Sequence, residues 1–418
     1  MRVIVIGAGL LGTSTAYFLA ERGHDVVVLD RARAIADETS HANGGIIHAS
    51  NAAPWNAPGV VRQALRWIGR RDAPIAVRPS ALPGLARWGL SFLRHSRRDR
   101  FERSLRANAR LAVYSLAVMR ELRDRTGLDY HARTAGCLAV FRDQAGLDAA
   151  GREAAILADA GVRSEILDRR ALAAREPTLA DGFAGGLLYP DDESGDACLF
   201  TRALASRARE RGAEFRLATP VTRLLVENGA VTGAATPAGD FRGDACVLAA
   251  GSYSPALARP AGLRLPIYPV KGHSLTLPLP PGAPLPHAPL IDGERKVVAA
   301  VLGDRLRVAG FAEFAGYDRR TDTRRSQALL RGLRAVLPDL AARLDPATAE
   351  PWAGLRPTTP DGRPLLGPTP APGLYLATGT GHLGWTFAAG AGRLVADAVS
   401  GAPPALALDE LSYRRLTP

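Results

Sequence analysis

Cysteine is scarce, with Cys137, Cys198 and Cys246 the only three in 418 residues. They are too scattered for a metal-ligand spacing or a disulfide framework, so reduced core thiols and no metal site are expected. No run approaches the ~18 uninterrupted apolar residues of a membrane-spanning helix. The first residues already read as a buried strand and leave no room for a signal peptide, so a cytoplasmic protein is expected. Lysine is nearly missing: Lys271 and Lys296 are the only two, and the remaining basic residues are arginine. With 53 basic and 41 acidic residues the net charge is +12. Such a balance suits nucleic acid or an anionic membrane surface, and an Ala/Gly/Arg-rich composition explains it equally well. No zinc-finger, helix-turn-helix or RNA-binding signature accompanies the charge, so no nucleic-acid partner is expected. Internal repeats and low-complexity linkers are also missing, and the length suits two domains around a sizeable core.

What is present starts at residue 3. Val3–Ile6 is a short, β-branched apolar run, and Gly7, Gly9 and Gly12 follow at G-x-G-x-x-G spacing. Leu11, Thr15, Phe18 and Leu19 recur at helical spacing, and Gly23 stands at the expected helix end. "DVVVLDR" then reads as a second strand closing on Asp30, 18 residues beyond Gly12. The first glycine permits a tight turn, the second lets backbone approach a pyrophosphate, and the third lets helix pack on strand. The helix N-terminus faces the phosphates, and the acid accepts from a ribose hydroxyl. Strand, helix, second strand and terminal acid together predict a dinucleotide site. NAD and FAD both satisfy it.

Three further motifs favour a flavin. "VLAAGSYS" is an apolar strand ending in Ala249-Ala250-Gly251, small enough for close approach to the same pyrophosphate. "ATGTGHLGWTF" sets Gly379, Gly381 and Gly384 ahead of a helix, a backbone cradle for electron-rich oxygen. "ETSHANGG" puts small and amide side chains just after the ribose acid, where an isoalloxazine can lie against backbone. Elsewhere, helices are expected from about residue 60 to 125 and over "LDAAGREAAILADAG" and 324–337. Strands are expected at "GCLAVF", "GGLLY" and "GLYLATG", with a last helix after "GTGHLGWTF".

The sequence resembles the FAD-dependent D-amino acid dehydrogenases, within the wider glycine oxidase, sarcosine oxidase and D-amino acid oxidase group. The resemblance spans nearly the whole chain. It is carried by "VIGAGLLG", "ETSHANGG", "NAAPWNAPGV", "GGLLYPDDESGDACLFT", "VLAAGSYS", "PVKGHSLTLP", "GLRPTTPDGRPLLG" and "GTGHLGWTFAAG". The expected fold is α/β: a Rossmann-like FAD-binding domain (1–85, 195–262 and 345–418) interleaved with a substrate-binding domain on a mixed or antiparallel sheet (86–194 and 263–344). The resemblance implies non-covalent FAD held by Gly7, Gly9, Leu10, Leu11 and Gly12, then Asp30 and Arg31. Thr39, Ser40, Asn43, Gly44 and Gly45 follow, with Val221, Ala250 and Gly251. Gly381, His382, Leu383, Gly384, Trp385 and Thr386 complete the set.

It also implies oxidation of a D-amino acid to its imino acid, hydrolysis to a 2-oxo acid and ammonia, and electrons passed to a quinone rather than to oxygen. Arg356 in "GLRP" is the expected clamp for the substrate carboxylate, since a guanidinium pairs bidentately and keeps its charge. Tyr253 and Tyr268 are candidate wall hydroxyls. Two positions depart from the family pattern: His273 replaces the tyrosine after "KG", and "GIIHAS" brings His48 toward the flavin. D-alanine and similar small neutral substrates are expected, with D-proline or a secondary amine open. An oxygen-using oxidase is the alternative. A non-catalytic flavoprotein fits less well, because structural FAD needs no carboxylate clamp. Arg94, Arg97, Arg98, Arg100, Arg103, Arg106 and Arg110 crowd one helical stretch, with Trp67, Ile68 and Trp88 upstream. That mix is either a peripheral contact with the inner face of the cell membrane or a solvated basic face.

Overall fold

A computed structural model describes residues 1–60 and 73–416. The opening strand Arg2–Ile6 is buried from Val3 onward and pairs in parallel with Asp25–Leu29 on one side and Ala245–Leu248 on the other. The chain leaves this strand in both directions, which makes its carboxyl end a switch point where open α/β sheets bind ligands. The full six-stranded order is 365–368, 374–378, 245–248, 2–6, 25–29 and 214–216, with only the 365–368 edge antiparallel. The helix expected from residue 11 runs Leu10–Glu21, and Gly23 takes φ 78° just past its end. It lies beside the last long helix, Gly384–Val399, which begins inside "GTGHLGWTF" rather than after it. Gly392 makes that packing possible, since a Cβ there would stand 2.5 Å from the Ser14 Cβ, while Gly390 admits helix Arg98–Thr126, with a Cβ there 2.7 Å from the Ser115 Cα.

The second sheet has nine strands. Its order is Glu350–Thr358, Tyr268–Pro278, Arg305–Phe314, Val297–Leu302, Leu290–Asp292, Cys137–Phe141, Gly185–Tyr189 and Glu165–Asp168, with Ile75–Val77 added alongside Arg305–Phe314. Most pairs are antiparallel; 290–292 with 137–141 and 305–314 with 75–77 are parallel. Helices Thr323–Val336 and Pro338–Arg343 cover its back with Leu329, Leu333, Val336 and Leu340. Its front faces the first sheet. The fold is the expected mixed α/β, but sheet membership divides the chain differently from the sequence boundaries. Ile75–Val77 and Glu350–Thr358, placed in the nucleotide domain by sequence, are strands of the nine-stranded sheet. Helix Arg98–Thr126, placed in the substrate domain, packs in the nucleotide core against Gly384–Val399. Proline and turn signals mark where a chain bends, not which sheet edge it joins.

Hydroxyls and one guanidinium tie the halves together. Thr39 Oγ1 and Ser252 Oγ both donate to the Leu355 carbonyl, at 2.8 and 3.1 Å. Ser274 Oγ donates to the Ala42 carbonyl at 2.6 Å, and Arg307 Nη1 to the Asn43 carbonyl at 2.7 Å. Nearby, Asp361 is buried between Arg363 Nε and Arg415 Nε, at 3.0 and 2.8 Å. Burial alone would raise its pKa; Arg415 and Arg363 hold it well below the usual carboxylate range. Asp361→Asn leaves two guanidinium groups without their anion and should cost about 3–5 kcal/mol. A lower thermal midpoint with unchanged far-UV dichroism at 20 °C is the expected result; an unchanged midpoint would refute it.

Candidate active site

The glycines after the first strand have separate tasks. Gly7 has φ 116°, and a Cβ there would meet the Ala249 carbonyl at 2.5 Å. A Cβ on Gly12 would stand 1.9 Å from the Gly7 carbonyl. Both are glycine because the chain itself leaves no space. Gly9 differs: a Cβ there would meet only Ser40 Oγ, at 3.2 Å, and otherwise enter an open cavity. That open space suits the close approach of a ligand. Helix Leu10–Glu21 starts here, and the Leu10 N–H donates to Ser40 Oγ at 3.1 Å. The N–H groups of Leu11 and Gly12 have no acceptor within the helix, which suits an anion. Asp30 accepts from the Ala8 and Ala32 N–H groups at 2.6 and 2.7 Å. Burial raises its pKa against those two donors, and the carboxylate still lines the cavity.

The cavity has a volume of 690 Å³ and runs between the two sheets from Asp30 to Arg356. Of the sequence-derived residues, Gly7, Gly9, Leu10, Leu11, Asp30, Arg31, Thr39, Ser40, Asn43, Gly44 and His48 reach it. So do Val221, Ala250, Gly251, Tyr253, His273, Arg356, Gly381, His382, Gly384 and Trp385. Gly12, Gly45, Tyr268, Leu383 and Thr386 do not line it. Gly12 is spent on helix packing, and Leu383 is buried core. Thr386 Oγ1 instead accepts from the His48 N–H at 3.1 Å, and Gly45 faces Leu302.

Arg356 sits on the edge strand Glu350–Thr358, opposite Val270. Its guanidinium lies across Gly272, where a Cβ would come within 2.4 Å of Cζ. Nη1 donates to the Phe311 carbonyl at 2.8 Å, and Cζ lies 5.6 Å from the centre of the Trp55 ring. Among the described residues no carboxylate comes within ion-pair distance of it. Burial pulls its pKa down to about 10, so it stays charged at neutral pH. A half-buried cation that meets no carboxylate among the described residues and faces a cavity suits an anionic ligand.

The histidines and tyrosines divide. Strand parity sends the His273 side chain behind the sheet, because Gly272 faces Arg356 in front. There His273 Nε2 pairs with Glu313 Oε2 at 3.1 Å, and Glu313 in turn faces Lys271 and Arg78. Only the backbone side of His273 is left for the cavity, so a substrate-facing imidazole is not what this position provides. Tyr268 is core, its ring tilted against Trp88 and Phe314, and its hydroxyl accepts from the Gly316 N–H. Tyr253 lies under Arg31, with the guanidinium 3.6 Å from its ring centre, beside the ribose acid rather than beside Arg356. His48 and His382 do face the cavity, and burial pulls them down to about 3 and about 4. Both remain neutral. His382 stacks on Trp55 at 5.1 Å, so imidazole, indole and guanidinium form one layered wall.

Sequence reasoning missed Trp55, Phe311 and Trp352. Trp55 was visible as the one large side chain in "NAAPWNAPGV". Nothing in "VAGFAEF" announces that a main-chain carbonyl would matter. The open space at Gly9, the cavity-lining Asp30 carboxylate and an Arg356 that meets no carboxylate among the described residues together fit a flavin dinucleotide with a carboxylate-bearing substrate. Gly9→Val should therefore give folded but colourless protein, whereas Gly12→Ala should give insoluble protein through its clash with Gly7. Absorbance at 450 nm per mole of soluble protein separates them, and a yellow Gly9→Val would refute the placement.

A family profile described as DAO, FAD dependent oxidoreductase, matches residues 2–398. The D-amino acid dehydrogenase of Paramagnetospirillum magneticum is 47% identical over 421 residues, covering 100% of this chain and 99% of that one. That of Methylobacterium nodulans is 44% identical over 419 residues, covering 99% of each. Among solved structures, glycine oxidase from Geobacillus kaustophilus superposes with a TM-score of 0.80 at 24% identity over 100% of both chains. L-proline dehydrogenase from P. horikoshii gives 0.79 at 19% identity, over 99% of this chain and 97% of that one. These two likenesses show a shared fold. With a matching profile over nearly its whole length and close relatives end to end, this chain belongs to the DAO family of FAD-dependent oxidoreductases.

Proposed function

We propose that this flavoenzyme oxidises D-amino acids to imino acids, which water converts to 2-oxo acids and ammonia. The observation that carries the reading is Arg356, a half-buried guanidinium without an anionic partner among the described residues, facing the cavity between the two sheets. The relatives named D-amino acid dehydrogenase support the substrate class. Bound FAD supplies the two-electron acceptor for the hydride that leaves the substrate α-carbon.

The chain's own residues do the positioning. The Arg356 fork holds the α-carboxylate through two parallel N–H bonds and fixes its rotation, so the α-hydrogen keeps one direction. Gly272 and Phe311 keep the guanidinium in place, and Trp55 backs it. Neutral His48 and His382 add no second positive charge to repel an ammonium that must lose its proton before hydride can leave. Since neither imidazole ionises near pH 6.5, the kcat/KM profile should show no inflection there. An inflection at ~6.5 removed by His48→Asn would overturn this.

The acceptor we propose is a membrane quinone. Among the described residues no helix is long and apolar enough to cross a membrane. The support is a surface: Leu82, Leu90 and Leu93 on helix Leu82–His95 are 54%, 55% and 47% exposed, with Val77 beside them at 48%. Arg87, Arg94, Arg100 and Arg103 surround them without an acidic partner among the described residues. Exposed leucines rimmed by arginine suit an anionic bilayer surface. Trp88 takes no part: it is buried, and its Nε1 donates to the Thr358 carbonyl. Arg98, Arg106 and Arg110 pair with Glu102 and Glu410, while Trp67 and Ile68 lie outside the described residues.

Anaerobic bleaching of the flavin by a panel of D-amino acids, followed by re-oxidation with oxygen or a quinone analogue, tests reaction and acceptor together. Arg356→Lys keeps charge but loses the fork, and Arg356→Met loses both. The losses in kcat/KM should be roughly 30- to 1000-fold, or ~2–4 kcal/mol, with Met the worse and FAD content unchanged. Full activity in Arg356→Met would place the carboxylate elsewhere. For the surface, wild type should sediment with anionic liposomes at low salt, and Leu90→Glu with Leu93→Glu should stay in solution. Equal sedimentation of both proteins would rule out this face.

A further inference from the structure

The ladder between strands Tyr268–Pro278 and Arg305–Phe314 slips at one place. Lys271 pairs with Glu313, and His273 pairs with Gly310, so Gly272 alone faces both Phe311 and Ala312. This is a β-bulge, one extra residue in one strand. At its centre Phe311 has φ 63°, a left-handed backbone that bulky L residues rarely adopt.

Parity shows what the bulge accomplishes. Before it, the even-numbered Leu306 and Val308 point into the core behind the sheet. After it, the even-numbered Ala312 and Phe314 point forward, into the cluster with Trp88 and Tyr268. Phe311 sits at the inversion. Its ring joins the rear core, with the Arg325 guanidinium 4.7 Å from the ring centre. An uninterrupted ladder would send that ring forward, into the cavity beside Arg356. Instead the front carries only the Phe311 carbonyl, which accepts from Arg356 Nη1 at 2.8 Å. The residue opposite the bulge, Gly272, is the one over which the guanidinium lies. A slipped register, a left-handed residue, a missing side chain and a half-buried cation thus coincide.

We infer that Phe311 is a positioning residue for the carboxylate clamp. Its left-handed backbone fixes Arg356 across Gly272 and keeps the phenyl ring out of the substrate's space. The inference rests on the reading of Arg356 given above. One N–H of the guanidinium is committed to main chain, which orients its plane and leaves another edge for a bidentate carboxylate. A backbone that left this conformation would loosen the clamp without touching the nucleotide end.

The test uses three variants of the holoenzyme that all remove the ring. Phe311→Gly and Phe311→Asn accept a positive φ; Phe311→Val resists it. The readouts are the FAD content, kcat and KM for D-alanine, and the Kd of propionate, a carboxylate without the amine, from the flavin absorbance. The Gly and Asn variants should agree with each other. Relative to Gly, Val should bind propionate about 5- to 30-fold more weakly, because only the fraction of molecules holding the bulge binds it. The loss in kcat/KM should match, lie mainly in KM, and leave FAD content equal. If Val proves insoluble, Phe311→Ala against Phe311→Gly gives the same comparison, with Ala about fivefold weaker. Equal propionate Kd values across Gly, Asn and Val, or across Gly and Ala where Val is insoluble, would overturn the role of Phe311. Arg356→Met separates the two levels. Wild-type affinity for propionate there would overturn the clamp and with it this inference. Lost affinity there, alongside equal Phe311 variants, would overturn the inference alone.

Discussion

A positive charge half withdrawn from water, which no carboxylate among the described residues neutralises, is the constraint on which this site is arranged. Removing a guanidinium from solvent costs several kcal/mol unless a partner restores the lost interaction. Arg356 receives a single main-chain carbonyl and the face of an indole from the protein. Both orient it, and neither neutralises it. On the proposed reading the remaining interaction goes to the carboxylate of a substrate, so that affinity and orientation come from the same group. Gly272 is glycine because a guanidinium occupies the volume of its side chain, and Gly354 likewise lies under the Trp352 ring.

The catalytic geometry depends on two sheets that belong to different halves and share no ladder. In the proposed function one holds the nucleotide and the other the clamp, so a carboxylate is placed against a ring carried by the opposite half. The Leu355 carbonyl, next to Arg356 in the chain, receives hydroxyls from both Thr39 and Ser252 on the nucleotide side. Such short-range bonds transmit position with little slack. The clamp is therefore registered to the nucleotide loops one residue away from the guanidinium itself.

What the sequence disclosed depended on how far apart the cooperating residues lie in it. The first strand, the glycine turn, its helix and Asp30 are complete within 30 residues, and each carries a local cause. Arg356 was singled out by a motif, and the structure brings it to the cavity with His48, His382 and the glycines. Tyr268 and His273 went astray for different reasons: His273 takes the rear face of its strand and pairs with Glu313, while Tyr268 shares the front face with Arg356 and is taken up by the aromatic cluster of Trp88 and Phe314. The sheet membership of 75–77 and 350–358 was hidden because a strand's partner is chosen over long separations. Phe311 had no signal at all, because its part is played by main chain.

The six-stranded sheet also has a history in time. Its central strand, Arg2–Ile6, is apolar, and its second neighbour, Ala245–Leu248, lies more than half the described chain further on. At about 5–20 residues per second, the nascent chain spends roughly 10–50 s with one edge of that strand unpaired. The helix that closes over it, Gly384–Val399, arrives later still. An exposed β-branched edge is a template for pairing with other chains. A fold threaded from its first residues to its last thus places its most aggregation-prone interval on the ribosome, where chaperones that shield apolar strands would act.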